Sequence, residues 1–554
     1  MNLINDLKAI QDRYGYLPEG ELRALSQRTA TPLYRIQAVA SFYPHFRLRP
    51  GPRLDVKVCA DLSCHLAGAR RLLRAARRHG QRFTECEIAT TSCVGRCDQA
   101  PAVAVNDAVY ADVTEQQLLA LLAAGAQGAP LPPQSPSPAV TPRYLIDPYG
   151  QEAERFTALR QVLAGGDAAA VIHTLKDSGL RGMGGAGFPT GVKWEIVKNA
   201  AGEEKYVVVN ADESEPGTFK DRFLMERFPH LLIEGTLLGA YVVGARQAYI
   251  FIRHEYPHQE HVLAEALAAA RAQGLVGPHI LGSDFSCDID IFVSAGGYIC
   301  GEETALLEAL EGKRAEPRNK PPFPGTYGLW GKPTLINNVE TLCMIPAILR
   351  HGAAWFQRQG RNNNGLKYLG LSGHVRRPGV YEIPLGLSAR EFIEDYGGGV
   401  TAGKRLKAFS PGGASSGFLP ADMAHIALDF QSLAQVGSML GSGAVVALAE
   451  GTCMLDAALN VVTFFRNESC GKCVPCRVGS EKIAQILERA TRGHAETKEI
   501  DVIAELAETM QLTSICGLGQ AAPLPITSAL KYFGDEIMVH LTEKRCPEGV
   551  CFQP

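Results

Sequence analysis

The chain has 554 residues, 46 % hydrophobic and 20 % charged, and its 55 basic and 58 acidic side chains leave a formal charge of −3. That length exceeds one core and predicts several domains, and the composition excludes a disordered or fibrous chain. The balanced charge leaves no global field for nucleic acid or a membrane surface.

The N-terminus, MNLINDLKAIQDRYG, lacks the basic and apolar segments of a secretory signal, and no apolar run reaches spanning length. A cytoplasmic location is expected, where thiols stay reduced, so the 15 cysteines point to metal or cluster ligation. Residues 1–43 carry helical patterning. Residues 54–58 alternate as a strand and 67–79 read as a helix, with the basic run 70–82 as its solvated face. PAVAVNDAVY, residues 101–110, reads as a hairpin turning at Asn106-Asp107. GAQGAPLPPQSPSPAVTP, residues 125–142, is too rich in proline and small residues to bury a core and reads as a semi-rigid linker.

Residues 167–178 form a short helix with Asp167 as its cap and Gly179 past its end. Then comes GLRGMGGAGFPTGVKWE, in which Gly182, Gly184 and Gly187 spell G-x-G-x-x-G. A Rossmann loop follows a strand and opens a helix. Here a helix precedes the glycines and Pro189 follows them, so a standard Rossmann site is rejected. Phe188, Lys193 and Trp194 also argue against a spacer. A turn of this kind allows close backbone approach to a flat or phosphorylated ligand, with Lys193 placed to meet a phosphate.

Strands at 206–209, 248–252 and 288–293 alternate with helices at 230–243 and 260–273, and another helix begins near 301. This is an α/β domain with a buried sheet. Asn210, Asp212, Glu213 and Glu215 crowd the end of its first strand, where open α/β sheets place ligands. From about 366 short strands with Gly/Pro turns mark a β-rich module, and from about 452 helical patterns dominate.

Cys470, Cys473 and Cys476 form C-x2-C-x2-C, with Cys516 forty residues on. Three thiolates on one loop and a distant fourth suit a 4Fe–4S cubane, with structural zinc as the other choice. Cys59/Cys64 and Cys93/Cys97 form C-x4-C and C-x3-C. Two separated pairs suit a 2Fe–2S rhomb or zinc, and spacing leaves that choice open. Cys546 and Cys551, in CPEGVC, offer only two ligands and read as an incomplete site. Cys86, Cys287, Cys300, Cys343 and Cys453 read as packing residues.

In order along the chain, GLRGMGGAGFPTGVKWE, NADESEPGTFKDR, YICGEETALLEALEG, LWGKPTLINNVETL and SCGKCVPCR closely resemble the flavin-carrying NADH-oxidising subunit of respiratory complex I. They resemble equally its relatives in NAD-reducing hydrogenases and NAD-dependent formate dehydrogenases. Residues 1 to about 125 resemble the neighbouring complex I subunit, a helical segment plus a thioredoxin-like 2Fe–2S domain. The resemblance thus implies that counterparts of two complex I proteins are fused in one chain. The resemblance implies a multidomain α/β protein divided as follows: a helical segment at 1–50, a thioredoxin-like 2Fe–2S domain at 51–125, and a linker at 126–143. An FMN/NAD domain at 144–365, a ubiquitin-like β-rich module at 366–450 and a helical 4Fe–4S domain at 451–554 complete it.

It further implies that Gly182, Gly184, Gly185, Lys193, Asn210, Asp212, Tyr298, Gly301, Asn337, Asn338 and Thr341 cradle FMN. Phe188, Glu215, Glu303 and Phe323 contact the dinucleotide. Cys59, Cys64, Cys93 and Cys97 hold 2Fe–2S, and Cys470, Cys473, Cys476 and Cys516 hold 4Fe–4S. Many family members carry Arg where this chain has Met183.

A flavin joins two-electron hydride chemistry to one-electron clusters, so no acid–base residue is required. The acidic residues favour NAD over NADP. The local form of GLRGMGGAGFPTG favours the diaphorase subunit of a formate dehydrogenase, paired with a molybdenum or tungsten subunit. A soluble NAD-reducing hydrogenase or a fused complex I module is the alternative. A zinc-stabilised scaffold without redox function is the reading from another class.

Overall fold

A computed structural model of the chain describes residues 2–83, 85–127, 144–363, 365–401 and 403–551. Most of the expected linker, residues 128–143, lies outside the described residues. The helix Glu115–Gln127 runs up to its edge.

Three helices open the chain, Leu3–Tyr14, Glu19–Thr29 and Leu33–Ala40. The first is capped by the Asn2 side chain and stopped by Gly15 in the left-handed region at φ 76°. These helices pack on a core shared with residues 206–336 and the C-terminal helices rather than on the sheet that follows them. The Asn2 Nδ2 donates to the Leu310 carbonyl at 2.6 Å, and the Tyr43 hydroxyl donates to the Lys313 carbonyl at 2.6 Å.

Strands β1 (Leu54–Cys59), β2 (Cys86–Thr91), β3 (Val103–Val105) and β4 (Ala108–Tyr110) form one sheet in the order β2-β1-β3-β4. β1 and β2 are parallel and β3–β4 is the expected hairpin. Asn106 and Asp107 turn it with φ of 48° and 66°. The expected helix at 67–79 is present as Ala69–Gly80, and a separate short helix, Leu62–Leu66, precedes it across Gly68 at φ 90°. The basic run lies on Ala69–Gly80.

A second sheet contains β5 (Tyr206–Ala211), β6 (Gln247–Ile252), β7 (Asp288–Val293) and β8 (Thr334–Asn338), all parallel, in the order β7-β6-β5-β8. Helices on its faces leave β5 buried along almost its whole length, as a covered parallel strand must be. The register pairs Asn210 with Asn338, so two carboxamides lie side by side at the carboxyl edge of neighbouring strands.

Strands β9 (Leu366–Gly373), β10 (Gly379–Pro384), β11 (Leu406–Ser410), β12 (Leu419–Pro420) and β13 (Ala444–Ala449) make the β-rich module, in the order β10-β9-β13-β11-β12. Its first and last strands run parallel, the ubiquitin-like arrangement. Helices Met454–Asn467, Val474–Ala490, Glu499–Thr513, Gly517–Ala521 and Leu524–Thr542 complete the described chain. Among the described residues no helix is long and apolar enough to cross a membrane.

Candidate flavin, dinucleotide and cluster sites

The glycine-rich loop joins two helices, Ala168–Ser178 and Thr190–Asn199. Asp167 caps the first by accepting from the amides of Ala169 and Ala170, and Gly179 ends it at φ 69°. The loop closes on itself: the Gly182 amide donates to the Phe188 carbonyl at 2.8 Å and the Thr190 amide to the Leu180 carbonyl at 2.9 Å. A Cβ on Gly184 would lie 3.0 Å from the Asn338 Cβ, and Gly185 holds φ 133°. The loop therefore lies directly against the carboxyl edge of β8, with its glycines allowing the approach.

Met183 faces inward and is buried. Its amide donates to the Thr341 hydroxyl at 2.9 Å, and its carbonyl accepts from Lys367 at 3.4 Å. Lys367, from the β-rich module, thus brings a cation to this point of the wall. Asn337 accepts from the Trp194 indole at 2.9 Å, and Asn338 caps its helix and donates to Asp221 at 2.7 Å. Thr341, Asn337 and Asn338 use their polar atoms to hold the wall in place. Lys193 donates to the Ile336 carbonyl at 3.2 Å, and burial pulls its pKa down.

Opposite the loop, Asn210 donates to the Gly301 carbonyl at 2.8 Å. A Cβ on Gly301 would come within 3.2 Å of the Asp212 carbonyl. Asp212 accepts from Ser214 at 2.7 Å through Oδ1, while its buried Oδ2 has no hydrogen-bond partner among the described residues. An unpaired acceptor beside a glycine-walled edge fits a polyhydroxyl chain such as the ribityl of FMN. Phe188 and Phe323 are 43 % and 59 % exposed, leaving both rings open to stack on a planar ligand. Glu303 pairs with Lys320 at 3.0 Å. Glu215 accepts from the Ser415 amide at 2.8 Å and from its hydroxyl, and burial raises its pKa. The loop carrying Ser415 belongs to the β-rich module, so two units build the pocket. Lys320 and Ser415 were not among the expected site residues. The paired acids Glu302 and Glu303 are a signal for a cation such as Lys320, whereas nothing near Ser415 in sequence marks it.

Burial raises the Asp212 pKa from 3.8 to about 7. The folded chain then holds a proton that the unfolded chain releases between pH ~4 and ~7, so stability of the flavin-free protein falls as pH rises through that window. Asp212→Asn is expected to flatten the fall of the thermal midpoint across it, removing a penalty of at most about 4 kcal/mol. An unchanged profile refutes the assignment.

Tyr298 stands between the pocket and the helical domain. Its amide donates to Glu468 at 2.8 Å, its hydroxyl is 3.5 Å from that of Ser415, and its ring meets Phe464 edge-on at 5.1 Å. Cys473 immediately precedes the helix Val474–Ala490, Cys476 lies in its first turn, and Cys516 immediately precedes Gly517–Ala521. A Cβ on Gly519 would lie 2.9 Å from that of Cys476, so the two helix starts close on one another. Cys476 and Cys516 are buried and Cys470 and Cys473 half-buried. Burial pushes the Cys516 thiol up to about 12 and that of Cys476 to about 11, a cost that binding iron as thiolate offsets.

Cys59 ends β1, Cys64 lies in Leu62–Leu66, and Cys93 and Cys97 flank a tight turn. All four are buried, with the Cys93 and Cys97 sulfurs 3.4 Å apart. The Gly95 amide donates to the Cys93 sulfur at 3.4 Å and the Gly217 amide to the Cys97 sulfur at 3.3 Å. Four thiols from two loops with amides aimed at sulfur fit a 2Fe–2S cluster. Gly217 comes from the flavin domain, which therefore shares this site's wall.

The pair in CPEGVC is not alone. Cys546 and Cys551 converge with Cys453 and His540, all four ligand atoms lying within 4.8 Å of one another. The two ligands expected there are thus joined by Cys453, expected as a packing residue and distant in sequence, and by His540, six residues before Cys546.

Three family models match the chain. The Nuo51 FMN-binding domain covers residues 175–347, the NADH-ubiquinone oxidoreductase-F iron-sulfur binding region 456–540, and the thioredoxin-like [2Fe-2S] ferredoxin 1–126. One of the F-type subunits of NADH-quinone oxidoreductase in Rhizobium meliloti (strain 1021) is 47 % identical over 405 residues, 73 % of this chain and 96 % of the relative. The NADP-reducing hydrogenase subunit HndC of Solidesulfovibrio fructosivorans is 44 % identical, over 69 % of this chain and 78 % of its own. A solved structure of an NAD+-reducing [NiFe]-hydrogenase in the H2-reduced state aligns with TM-score 0.86 and 30 % identity, over 98 % of this chain and 94 % of that one. With the glycine-walled pocket and two thiol sets in place, the chain belongs to the F-type NADH-quinone oxidoreductase family of NAD-dependent flavin iron–sulfur oxidoreductase subunits, carrying a thioredoxin-like 2Fe–2S domain at its N-terminus.

Proposed function

We propose that the chain is the diaphorase subunit of an NAD-reducing hydrogenase-type assembly. The carrying observation is end-to-end alignment with a hydrogenase chain, over 98 % and 94 % of the two lengths, fused N-terminal domain included. Bound FMN would supply the exchange between hydride and single electrons. Gly182, Gly184 and Gly185 let the backbone approach the flavin, Lys193, Asn210 and Asp212 offer polar partners, and Tyr298, Gly301, Asn337, Asn338 and Thr341 fix the wall. Phe188 and Phe323 stack on the dinucleotide, while Glu215 and Glu303 accept from ribose hydroxyls and disfavour a 2′-phosphate. Cys59, Cys64, Cys93 and Cys97 hold the 2Fe–2S cluster, and Cys470, Cys473, Cys476 and Cys516 the 4Fe–4S cluster.

A formate dehydrogenase diaphorase with a molybdenum or tungsten partner is the second reading, favoured by the local form of GLRGMGGAGFPTG alone. The relatives from Rhizobium and Solidesulfovibrio carry the names of a quinone oxidoreductase and a hydrogenase instead. The test is NAD reduction by the purified full complex with hydrogen or with formate. Hydrogen-dependent reduction supports the proposal, and formate-dependent reduction replaces it with the second reading. NADPH should be a poorer donor than NADH to an artificial acceptor by at least about tenfold in kcat/KM. Equal efficiency would remove the assigned role of Glu215 and Glu303.

A further inference from the structure

We propose that Cys453, His540, Cys546 and Cys551 form a closed structural zinc site, separate from both iron–sulfur sites, that fastens the C-terminal tail to the helical domain. Their ligand atoms all lie within 4.8 Å of one another. The Cys453 sulfur is 3.4 Å from His540 Nε2 and 3.6 Å from the Cys551 sulfur. A tetrahedral ion with Zn–S bonds of about 2.3 Å sets sulfurs about 3.8 Å apart, so these edges match a single ion. A cubane spreads its thiolates farther. Cys453 and His540 are buried, and Cys546 and Cys551 half-buried.

The surrounding groups prepare each ligand. His540 Nδ1 lies 2.8 Å from the Glu536 carbonyl, its natural acceptor, which leaves the Nε2 lone pair facing the three sulfurs. The Val550 amide donates to the Cys546 sulfur at 3.4 Å, fixing its position beside the other ligands. Cys453 caps the helix Met454–Asn467, and His540 lies in the last turn of Leu524–Thr542. The tail is also held through Lys407, which pairs with Glu548 at 2.6 Å and Glu536 at 2.7 Å. Four protein ligands leave no open position, so the ion is structural rather than catalytic. Binding replaces the protons of three thiols with one Zn²⁺, without any oxidant. The helix Met454–Asn467 starts at Cys453 and ends three residues before Cys470, so the ion sits at the end of that helix opposite the C-x2-C-x2-C loop.

The test uses the full chain as isolated. Zinc should be present at about one ion per chain, and Cys546→Ser and Cys551→Ser should each lower it about tenfold, with iron content and both cluster spectra unchanged. Zinc K-edge absorption on the unmodified protein should report three sulfurs and one nitrogen, a readout independent of how the variants fold. Three results overturn the proposal: no zinc, iron lost with the Cys546 variant, or a Cys453–Cys551 disulfide in alkylated, denatured protein.

Discussion

Glu340→Ala is expected to lower stability by about 3–5 kcal/mol, the largest loss among single substitutions of non-cysteine residues near the pocket. Glu340 is fully buried and its carboxylate lies 2.8 Å from Lys220 Nζ and 2.6 Å from Lys367 Nζ, both also fully buried. Its second oxygen accepts from the Tyr368 amide at 2.8 Å. Lys220 belongs to the flavin domain and Lys367 to β9, so this one carboxylate pins two units together. The two ammonium groups hold the Glu340 pKa down, while burial lowers that of Lys367 to about 8. Without Glu340, Lys220 keeps Asp221 at 2.8 Å, but Lys367 keeps no carboxylate partner. The loss should therefore be partly recovered by adding Lys367→Met, which removes the stranded charge. Because Lys367 also donates to the Met183 carbonyl, the single variant should retain less FMN on gel filtration. Thermal midpoints and flavin-to-protein ratios read both effects. An unchanged midpoint in the single variant, or no recovery in the double, would remove the pin.

Features set by neighbours in sequence were legible and features set by distant pairs were not. The cap at Asp167, the stop at Gly179, the turn at Asn106-Asp107 and both close-spaced cysteine sets depend on local geometry, which spacing encodes. The reversed order of helix and glycines likewise excluded a Rossmann loop. The Lys220–Glu340–Lys367 cluster joins three separate segments, and each letter reads as an ordinary surface charge in its own context. CPEGVC showed two ligands because Cys453 lies 98 positions from Cys551, although His540 stands six residues before Cys546. Ser415 enters the pocket only because the β-rich module packs against β5's carboxyl end. The N-terminal helices are plain in the sequence, but their packing partner is not, since an amphipathic face does not say which core it covers.

The contact between the 2Fe–2S domain and the flavin domain is a second place where one charge decides the assembly. Arg222, on the helix Lys220–Arg227, is almost fully buried, and its Nη2 donates to both oxygens of Asp98 at 3.0 and 2.9 Å. Among the described residues its Nε and Nη1 have no hydrogen-bond partner, so Asp98 is the carboxylate that hydrogen-bonds this cation, with Glu213 acting on it at longer range. Asp98 directly follows Cys97, and Arg253 reinforces the same seam by donating to the carbonyls of Cys93 at 2.6 Å and Glu213 at 2.5 Å. Asp98→Ala leaves a guanidinium in a dry interface, at a cost of about 3–5 kcal/mol. Arg222 cannot escape by losing its proton, as Lys367 can, because the guanidinium stays charged throughout the accessible pH range. The interface must open to hydrate it. The variant should therefore release the N-terminal domain to limited proteolysis and slow reduction of the 2Fe–2S cluster by NADH. Reduction of ferricyanide through the flavin should continue, since the pocket lies on the other side of the break. Adding Arg222→Met should restore protection, because a hydrophobic side chain of similar length fills the seam without needing an anion. If the single variant keeps the domain protected, or the double variant fails to restore it, the Arg253 contacts rather than the Asp98–Arg222 pair hold the two domains together.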